Sequence, residues 1–272
     1  VNVDAITKGY DGEPLFKRFS MTVEAGERIA IIGPNGIGKT TLLKTLARTL
    51  APSAGKVLLD GNDIHRQPTR TVAQQLGILP QSPTAPDGLT VRELVGLGRF
   101  PYQSLMRQWS RHDEAAVEEA MRVADVATFA DRPVDALSGG QRQRCWIAMV
   151  LAQETDLLLL DEPTTFLDWG YQLEVLELLS KLNREHGLTV VMSLHDLNQA
   201  AQFADRIAVL ADGRLETIGS PGEVITEPLI NRVFRVHTHV TTGRDGRPFC
   251  SGFAESFRDS GTPNHHGLIH GM

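Results

Sequence analysis

Apolar positions alternate with polar ones in some stretches of this 272-residue chain and run without interruption in others. In the stretch FSMTVEAG, Phe19, Met21 and Val23 alternate with polar residues, which is typical of a strand that exposes one face. The stretch RIAII at 28–32 is almost wholly apolar, as expected for a strand covered on both faces. The first pattern predicts an antiparallel layer, and the second predicts a buried sheet.

A helix and two hairpins are predicted beside these strands. Directly after the buried strand, the helical spacing of Leu43, Leu46, Ala47 and Leu50 gives an apolar stripe that can pack on it. The stretches VLLDGND and VLADGRLETIG each place an Asp-Gly pair after strand residues. This arrangement predicts two hairpins at the margins of the sheet.

The pattern changes between 83 and 154, where helix-forming sequence dominates and no run resembles a strand. Strand and helix alternation then resumes with DLLLLDEP and LTVVMSLHD. We therefore predict an α/β fold whose core, with its antiparallel β subdomain, consists of 1–82 and 155–219. An α-helical subdomain is inserted at 83–154. Residues 220–272 form a C-terminal extension, and its last ~20 residues are expected to be poorly ordered.

Composition narrows the classes of partner. The 27 basic and 33 acidic residues give a net charge of −6 without a block of like charge, which disfavours nucleic acid or anionic lipid recognised by bulk charge. Cys145 and Cys250 are interpreted as free thiols of a reducing compartment. No apolar run approaches the roughly 20 residues of a membrane-spanning helix, and no secretion signal is visible. We expect a cytosolic protein that could dock on a membrane protein.

The stretch GPNGIGKTT at 33–41 fits the phosphate-binding pattern G-x-x-x-x-G-K-[ST] between a buried strand and an amphipathic helix. Its glycines can bring backbone amides to a β-phosphate, Lys39 can reach the β- and γ-phosphate oxygens, and Thr40 can ligate Mg²⁺. The alternative is a glycine-rich turn without a ligand. That alternative gives no reason for Lys and Thr directly after the last glycine.

Two adjacent carboxylates, Asp161 and Glu162, follow the apolar run LLLL. Buried neighbouring carboxylates repel each other and lose hydration unless a cation and water are present. We predict that Asp161 reaches Mg²⁺ and that Glu162 faces the γ-phosphate as general base or water-orienting group. The alternative is an Asp-Glu pair that begins a solvated turn.

The stretch LSGGQ at 137–141 places Ser138 and two glycines before a predicted helix anchored by Cys145, Ala148, Met149 and Ala152. Free amides at a helix start can bind an anion. The helical insertion would hold this segment to the side of its own nucleotide site, so we predict a two-fold dimer in which it covers the γ-phosphate bound by the partner. In isolation, the same residues would be only a good helix cap.

Together these stretches resemble an ATP-binding-cassette ATPase from about Tyr10 to Gly219. The phosphate loop matches the Walker A motif, 157–162 matches the Walker B strand, and 137–141 matches the family signature without change. The resemblance implies an ATPase that uses ATP and Mg²⁺. It implies nucleotide contacts from Tyr10, Gly33, Pro34, Asn35, Gly36, Ile37, Gly38, Lys39, Thr40, Thr41, Ser138, Gly139, Gly140, Gln141 and Asp168.

The resemblance also assigns roles to four residues outside these motifs. Gln81 would contact Mg²⁺ and the attacking water, and Asp168 would be the carboxylate of the D-loop. His195 would reach the γ-phosphate as the switch histidine, and Tyr10 would stack on adenine. The implied catalytic residues are Glu162, His195, Gln81 and Lys39, and the implied metal ligands are Thr40, Gln81 and Asp161.

Within the family, the stretches GRFPYQSLMRQW and LDEPTTFLDWGYQLEVLELLSKLNRE are similar to ATPases of ferric-siderophore importers of the ferric-enterobactin type. Haem and vitamin B12 importers are alternatives. The resemblance implies a homodimer on membrane permease subunits at the cytoplasmic face of the bacterial inner membrane, with 99–109 as a docking surface and a siderophore-binding protein as indirect partner. Rival interpretations are a soluble cassette protein acting on ribosomes or DNA, and a P-loop kinase. His265, His266 and His270 are interpreted as solvated.

Overall fold

A computed structural model describes residues 1–10, 13–104 and 109–253. Within this part of the chain, the strands form a four-stranded antiparallel sheet, a six-stranded mixed sheet and a two-stranded hairpin. The strands are β1 (Asn2–Tyr10), β2 (Glu13–Thr22), β3 (Arg28–Ile32), β4 (Ala54–Leu59), β5 (Asn62–Asp63), β6 (Leu76–Leu79), β7 (Leu157–Asp161), β8 (Thr189–Ser193), β9 (Arg206–Ala211), β10 (Arg214–Gly219), β11 (His237–Thr242) and β12 (Pro248–Phe253).

The central sheet has the order β10-β9-β3-β8-β7-β6 and is parallel except for the β9–β10 hairpin. Ile29 and Ile31 of β3 face a core shared with the antiparallel sheet, whereas Ala30 and Ile32 face a core shared with the helices. The uninterrupted apolar run therefore does mark a strand buried on both faces. The mixed α/β class predicted from the sequence is confirmed.

Helices cover the faces and connect the strands. They are α1 (Lys39–Leu46), α2 (Thr69–Ala73), α3 (Val91–Gly96), α4 (Arg111–Val123), α5 (Gly139–Leu151), α6 (Trp169–His186), α7 (Leu197–Phe203), α8 (Pro221–Val224) and α9 (Glu227–Phe234). Between β6 and β7, the described residues form helices, 3₁₀ turns and one isolated bridge between Thr90 and Pro133. The division into a core and an inserted subdomain stays a prediction.

The helix after the phosphate loop is shorter than its apolar stripe predicts. It ends at Leu46, because Arg48 adopts a left-handed conformation with φ 63° that stops the helix. Leu50 consequently lies beyond it, and Leu42 and Leu43 carry the packing. Both predicted Asp-Gly hairpins are present, and their turn residues have the positive φ that such turns require.

The chain after Gly219 contains more structure than its sequence signals indicate. It forms α8, α9 and the β11–β12 hairpin. The polar tail beyond 253, including His265, His266 and His270, lies outside the described residues. In the part of the chain that the structure describes, no helix is long and apolar enough to cross a bilayer.

Candidate functional site

The phosphate loop connects the end of β3 to the start of α1 in the middle of the central sheet. Gly33 has no room for a side chain, since a Cβ there would lie 2.4 Å from the carbonyl oxygen of Leu210. Gly38, with φ 104°, occupies the capping position before α1, and no side chain there accepts a hydrogen bond from the first amides of the helix. The first amides of α1 are therefore left for a ligand, as in other anion-binding helix starts.

Lys39 is buried beneath this loop. Its Nζ donates hydrogen bonds to the carbonyl oxygens of Gly33 at 2.9 Å and Pro34 at 3.2 Å. Burial lowers the pKa of Lys39, and the nearby carboxylates of Glu162 and Asp161 partly counter that effect. The loop thus holds a cation at the place where the motif requires a phosphate-binding group.

Asp161 ends β7 and joins Thr40 to the neighbouring strand. Its Oδ1 accepts hydrogen bonds from Thr40 Oγ1 at 3.2 Å and from Ser193 Oγ at 2.8 Å. Ser193 Oγ in turn accepts a hydrogen bond from the amide of Glu162 at 2.8 Å. Thr40 and Asp161 therefore bring a hydroxyl and a carboxylate oxygen together, and such hard oxygen ligands fit a small divalent cation.

Glu162 is the centre of the site. It is 8 % exposed, and its carboxylate accepts hydrogen bonds from Gln81 Nε2 at 2.5 Å and Thr165 Oγ1 at 3.1 Å. His195 Nε2 contacts the other carboxylate oxygen. Glu162 has φ 51°, a conformation that is unfavourable for a residue with a side chain. The strand β7 ends at Asp161, and the backbone turns away from the strand direction at Glu162.

Lys39, Thr40, Gln81, Glu162 and His195 line one open pocket of about 360 Å³, whereas Asp161 is not among its lining residues. Its lining residues are Leu15, Asn35, Gly36, Gly38, Lys39, Thr40, Thr41, Gln81, Glu162 and His195. The structure therefore brings together predicted residues from the phosphate loop, the Walker B strand, the Gln81 loop and the segment after β8. Leu15, which lines the pocket, belongs to no motif and was not predicted, and Thr165, which donates to Glu162, lies in a stretch used for the resemblance but was given no role.

Ser193 is the clearest omission of the sequence analysis. It is fully buried and pairs in register with Asp161 across the parallel β7–β8 ladder. Carboxyl ends of neighbouring parallel strands meet at one edge of a sheet, where ligands bind in α/β folds. A polar residue that ends the apolar run TVVM was therefore a detectable signal.

No residue of the signature segment 137–141 is among those that line this pocket. Ser138 is exposed and caps α5. Its Oγ accepts a hydrogen bond from the amide of Gln141 at 3.3 Å, and Gln141 Oε1 accepts one from the amide of Ser138 at 3.1 Å. A Cβ on Gly140 would lie 2.6 Å from the ring of Tyr171, so this glycine is required for packing against α6. Gln143 Nε2 also donates to the carbonyl oxygen of Pro163 at 2.9 Å.

Two further predicted residues also stand apart. Tyr10 is about half exposed at the end of β1, and Lys8 Nζ lies 5.6 Å from the centre of its ring. Asp168 occupies the position before α6, yet its side chain makes no cap hydrogen bond there. Both side chains are available for other contacts.

Arg99 contradicts the expectation that 99–109 forms a docking surface throughout. Its side chain is fully buried and donates hydrogen bonds to Asp113 at 2.8 Å, Glu154 at 2.6 Å and the carbonyl oxygen of Ala152 at 2.7 Å. An arginine with this many acceptors is structural. Leu97, Phe100 and Trp109 are the exposed apolar residues of the region, and residues 105–108 lie outside the described part of the chain.

Neither cysteine is activated in this structure. Burial raises the pKa of Cys145 to about 12 and also raises the pKa of Cys250. Both are free thiols, as predicted. Among the described residues, no group of three or more potential His, Cys, Asp or Glu ligands is arranged to hold a metal ion. The candidate Mg²⁺ ligands Thr40 and Asp161 form a smaller set that relies on substrate oxygens and water to complete it.

Comparison with known proteins gives the same family as the site. The ABC transporter family model matches residues 16–165. The chain is 50 % identical to the achromobactin transport ATP-binding protein CbrD of Dickeya dadantii (strain 3937), over 86 % of this chain and 87 % of that protein. It is 48 % identical to the ferric enterobactin transport ATP-binding protein FepC of Escherichia coli (strain K12), over 85 % of each chain.

Among solved structures, the dimeric post-hydrolysis state of the ATP-binding cassette MJ0796, bound to ADP and Pi, matches with a TM-score of 0.72. It is 31 % identical and covers 80 % of this chain and 97 % of that chain. Family model, relatives and fold agree with the phosphate loop, the paired carboxylates and the signature segment. This chain therefore belongs to the ATP-binding proteins of the ABC transporter family.

Proposed function

We propose that Glu162 activates the water that hydrolyses ATP bound on the phosphate loop. One observation carries this proposal: Lys39, Thr40, Gln81, Glu162 and His195 line a single pocket, and Glu162 has partners on both carboxylate oxygens. In this proposal the loop amides and Lys39 bind the β- and γ-phosphates. Glu162 accepts a proton from the attacking water, and Gln81 and His195 orient it.

Thr40 and Asp161 would hold Mg²⁺, and Gln81 is a further candidate ligand by resemblance. Bound there, the ion would neutralise charge on the β- and γ-phosphate oxygens. The 3.2 Å contact between Thr40 Oγ1 and Asp161 Oδ1 supports this assignment, because it brings both oxygens to one place beside the phosphate loop. Ser193 Oγ donates to the same oxygen, Asp161 Oδ1, and so helps to fix its orientation.

The active form in this proposal is a homodimer. Ser138 and Gly139 are exposed at the start of α5 and do not line the pocket of their own chain. In a two-fold dimer, Ser138, Gly139, Gly140 and Gln141 of one copy would cover the γ-phosphate bound by Lys39 of the other. Tyr10 would stack on adenine, and Asp168 would contact the second copy.

Membrane permease subunits are the proposed partners, which would place the ATPase peripherally at the cytoplasmic face of the bacterial inner membrane. The proposed docking surface is a groove of about 490 Å³ that includes Leu89, Leu97, Phe100 and Trp109. Three of these apolar side chains are exposed, and exposed apolar patches mark interaction sites. ATP-driven closure of the dimer would reach the permease as a change of shape.

The proposed cargo is a ferric siderophore, delivered to the permease by a siderophore-binding protein. The support is the near 50 % identity to ATPases named for achromobactin and ferric enterobactin transport. Haem and vitamin B12 are the alternative cargoes.

A strain that lacks this chain should lose uptake of the ferric siderophore and regain it when the gene is supplied on a plasmid. If the strain instead loses uptake of haem or vitamin B12, that compound is the cargo and the ferric siderophore is not.

The dimer can be tested with Ser138→Arg in a Glu162→Gln background that retains ATP. Ser138 is exposed, so arginine fits in the monomer but obstructs the face of a second copy. We expect ATP affinity of the monomer to be retained while ATP-dependent dimers disappear in size-exclusion chromatography. In the chain with Glu162 intact and its permease present, hydrolysis should fall by about 10²-fold.

Ser220→Arg is the matched control for this experiment. Ser220 caps α8 with the same Ser and Glu or Gln arrangement that Ser138 uses for α5, but it lies outside the signature segment. It should lose helix capping alone and still dimerise. Unchanged dimerisation of the Ser138→Arg protein would contradict the shared site.

A further inference from the structure

His195 lies between the end of β8 at Ser193 and the start of α7 at Leu197, so the position of α7 bears directly on the position of this residue. Asp196 caps the helix by accepting hydrogen bonds from the amides of Asn198 at 2.7 Å and Gln199 at 3.0 Å. The helix has only seven residues, and isolated helices of this length are unstable in water. Its position must come from contacts with the rest of the chain.

The C-terminal hairpin β11–β12 provides such contacts at both ends of α7. Near the start, the amide side chain of Asn198 pairs with the backbone of Cys250: Nδ2 donates to the carbonyl oxygen at 3.0 Å, and Oδ1 accepts from the amide at 2.7 Å. At the end, Arg247 Nη1 donates to the carbonyl oxygens of Ala201 at 2.7 Å and Ala204 at 2.9 Å. A cation on these carbonyls also complements the helix dipole.

Through Gln199, α7 is also joined to the segment that follows Glu162 and to α6. Gln199 is buried, and its Nε2 donates to Gln172 Oε1 of α6 at 2.6 Å. Thr164 Oγ1 donates to Gln199 Oε1 at 3.3 Å. The helix is therefore held between the C-terminal hairpin and the chain that carries Glu162.

We propose that the C-terminal hairpin positions His195 against Glu162 through α7, with Asn198 and Arg247 as positioning residues for hydrolysis. The proposal rests on the role given to His195 in the proposed function. Neither residue lines the nucleotide pocket, so each acts through the helix and not through contact with the substrate. The hairpin thereby gives the C-terminal extension a role in the rate of the reaction.

Asn198→Ala and Arg247→Ala test this proposal in the full chain with Mg-ATP. Each should lower kcat by about 3- to 10-fold, as expected for residues that act through a connected network. The KM for ATP should stay within a factor of two, because the phosphate loop is untouched. Arg247→Lys keeps a cation at the helix end and should recover part of the rate.

Ser251→Ala is the matched control. Ser251 donates a hydrogen bond within the hairpin, to the carbonyl oxygen of His239 at 3.3 Å, and has no such bond to α7. It should leave kcat unchanged. Thermal unfolding of every variant identifies any that fail to fold. The Asn198→Asp variant is a milder change, because it keeps the oxygen that accepts a hydrogen bond from the Cys250 amide and loses only the side-chain donor.

A double-mutant cycle with His195→Ala separates positioning from a general structural effect. If Asn198 acts through His195, its replacement should have no further effect on kcat once His195 is absent. Equal losses from Asn198→Ala with and without His195 would overturn the inference. A His195→Ala protein with normal kcat would instead overturn the role of His195 in the proposed function, so the two failures are distinguishable.

Discussion

Two clusters of buried charge in this molecule differ in whether they line an open pocket. Glu162 lines an open pocket with Lys39, whose hydrogen bonds go to backbone carbonyls, and buried Asp161 is its neighbour in the chain. Around Arg99, one guanidinium is enclosed by Asp113, Glu154 and the carbonyl of Ala152. Each cluster has two carboxylates to one lysine or arginine, but Lys39 and Glu162 line an opening, whereas Arg99 and Asp113 are fully buried.

The difference distinguishes buried charges that can bind a ligand from buried charges that stabilise the fold. Burial of a charge costs free energy unless opposite charge and hydrogen bonds replace water. Arg99 and Asp113 receive most of that replacement from each other, from Ser110 before α4, and from Ala152 and Glu154 after α5, although Arg99 Nη2 has no hydrogen-bond partner among the described residues. Asp161 and Glu162 would receive it in full only with the proposed cation and nucleotide. Three experiments test this distinction.

Replacing Glu162 with Gln should have the largest effect on activity. The amide keeps the size of the side chain but cannot accept a proton, so hydrolysis should fall by about 10²-fold or more while ATP still binds. Steady-state phosphate release and nucleotide-binding titration measure the two quantities. Glu177→Gln, the same change at an exposed position of α6, should leave both unaltered. Near-normal hydrolysis by the Glu162→Gln protein would contradict the assigned role.

Replacing Arg99 with Ala should instead have a large effect on stability. The change leaves Asp113 buried without its partner, which typically costs about 3–5 kcal/mol. Urea unfolding measures the loss, and ATP affinity corrected for the unfolded fraction should be retained. The matched control is Arg122→Ala, which removes an exposed ion pair with Glu119 and should cost less than about 1 kcal/mol. Equal losses from the two variants would remove the distinction between the clusters.

Acid should weaken the Arg99 cluster in a defined range of pH. Burial opposes ionisation of Asp113, but hydrogen bonds from Ser110 and Arg99 outweigh it and lower the pKa from 3.8 to about 2. A carboxyl whose pKa is lower in the folded state contributes stability above its unfolded pKa and loses it as pH falls towards the folded pKa. The free energy of unfolding should therefore decline between pH 3.8 and about 2.

The Asp113→Asn variant is the comparison for this measurement, because it lacks the titrating group. Other carboxyls, such as Asp205 beside Arg28, also titrate in acid. The contribution of Asp113 is therefore the difference between the two proteins at each pH. Parallel declines in both proteins would show that Asp113 contributes nothing in this range.

Much of the fold and the pocket could be predicted because local patterns encode them. Glycines, Lys39 and Thr40 act through the backbone of one loop, and the apolar run before Asp161 identifies its strand without any knowledge of the neighbours. Ser193 was missed because its role depends on the pairing of β8 with β7, which the sequence does not state. The burial of Arg99, the first residue of the stretch 99–109 that the resemblance implies as a docking surface, could not be predicted for the same reason. Its acceptors come from residues 113, 152 and 154, and burial of an arginine depends on all of them.

Helix ends and weakly patterned chain were harder to predict. The apolar stripe of α1 continues to Leu50, but the conformation of Arg48 ends the helix earlier. The C-terminal extension has little periodicity, and its hairpin is held by backbone contacts with Asn198 and Arg247, which hydropathy does not register.

The left-handed backbone at Glu162 carries a consequence for evolution and engineering. A residue with a side chain in this conformation costs of order 1–3 kcal/mol, and here the side chain also adds negative charge next to buried Asp161. Glu162→Gln keeps this backbone conformation but removes the charge, so without nucleotide it should melt at a higher temperature than the natural protein. A search for thermostable variants that ignored transport would therefore replace this carboxylate early. The carboxylate is retained for activity although it lowers thermal stability.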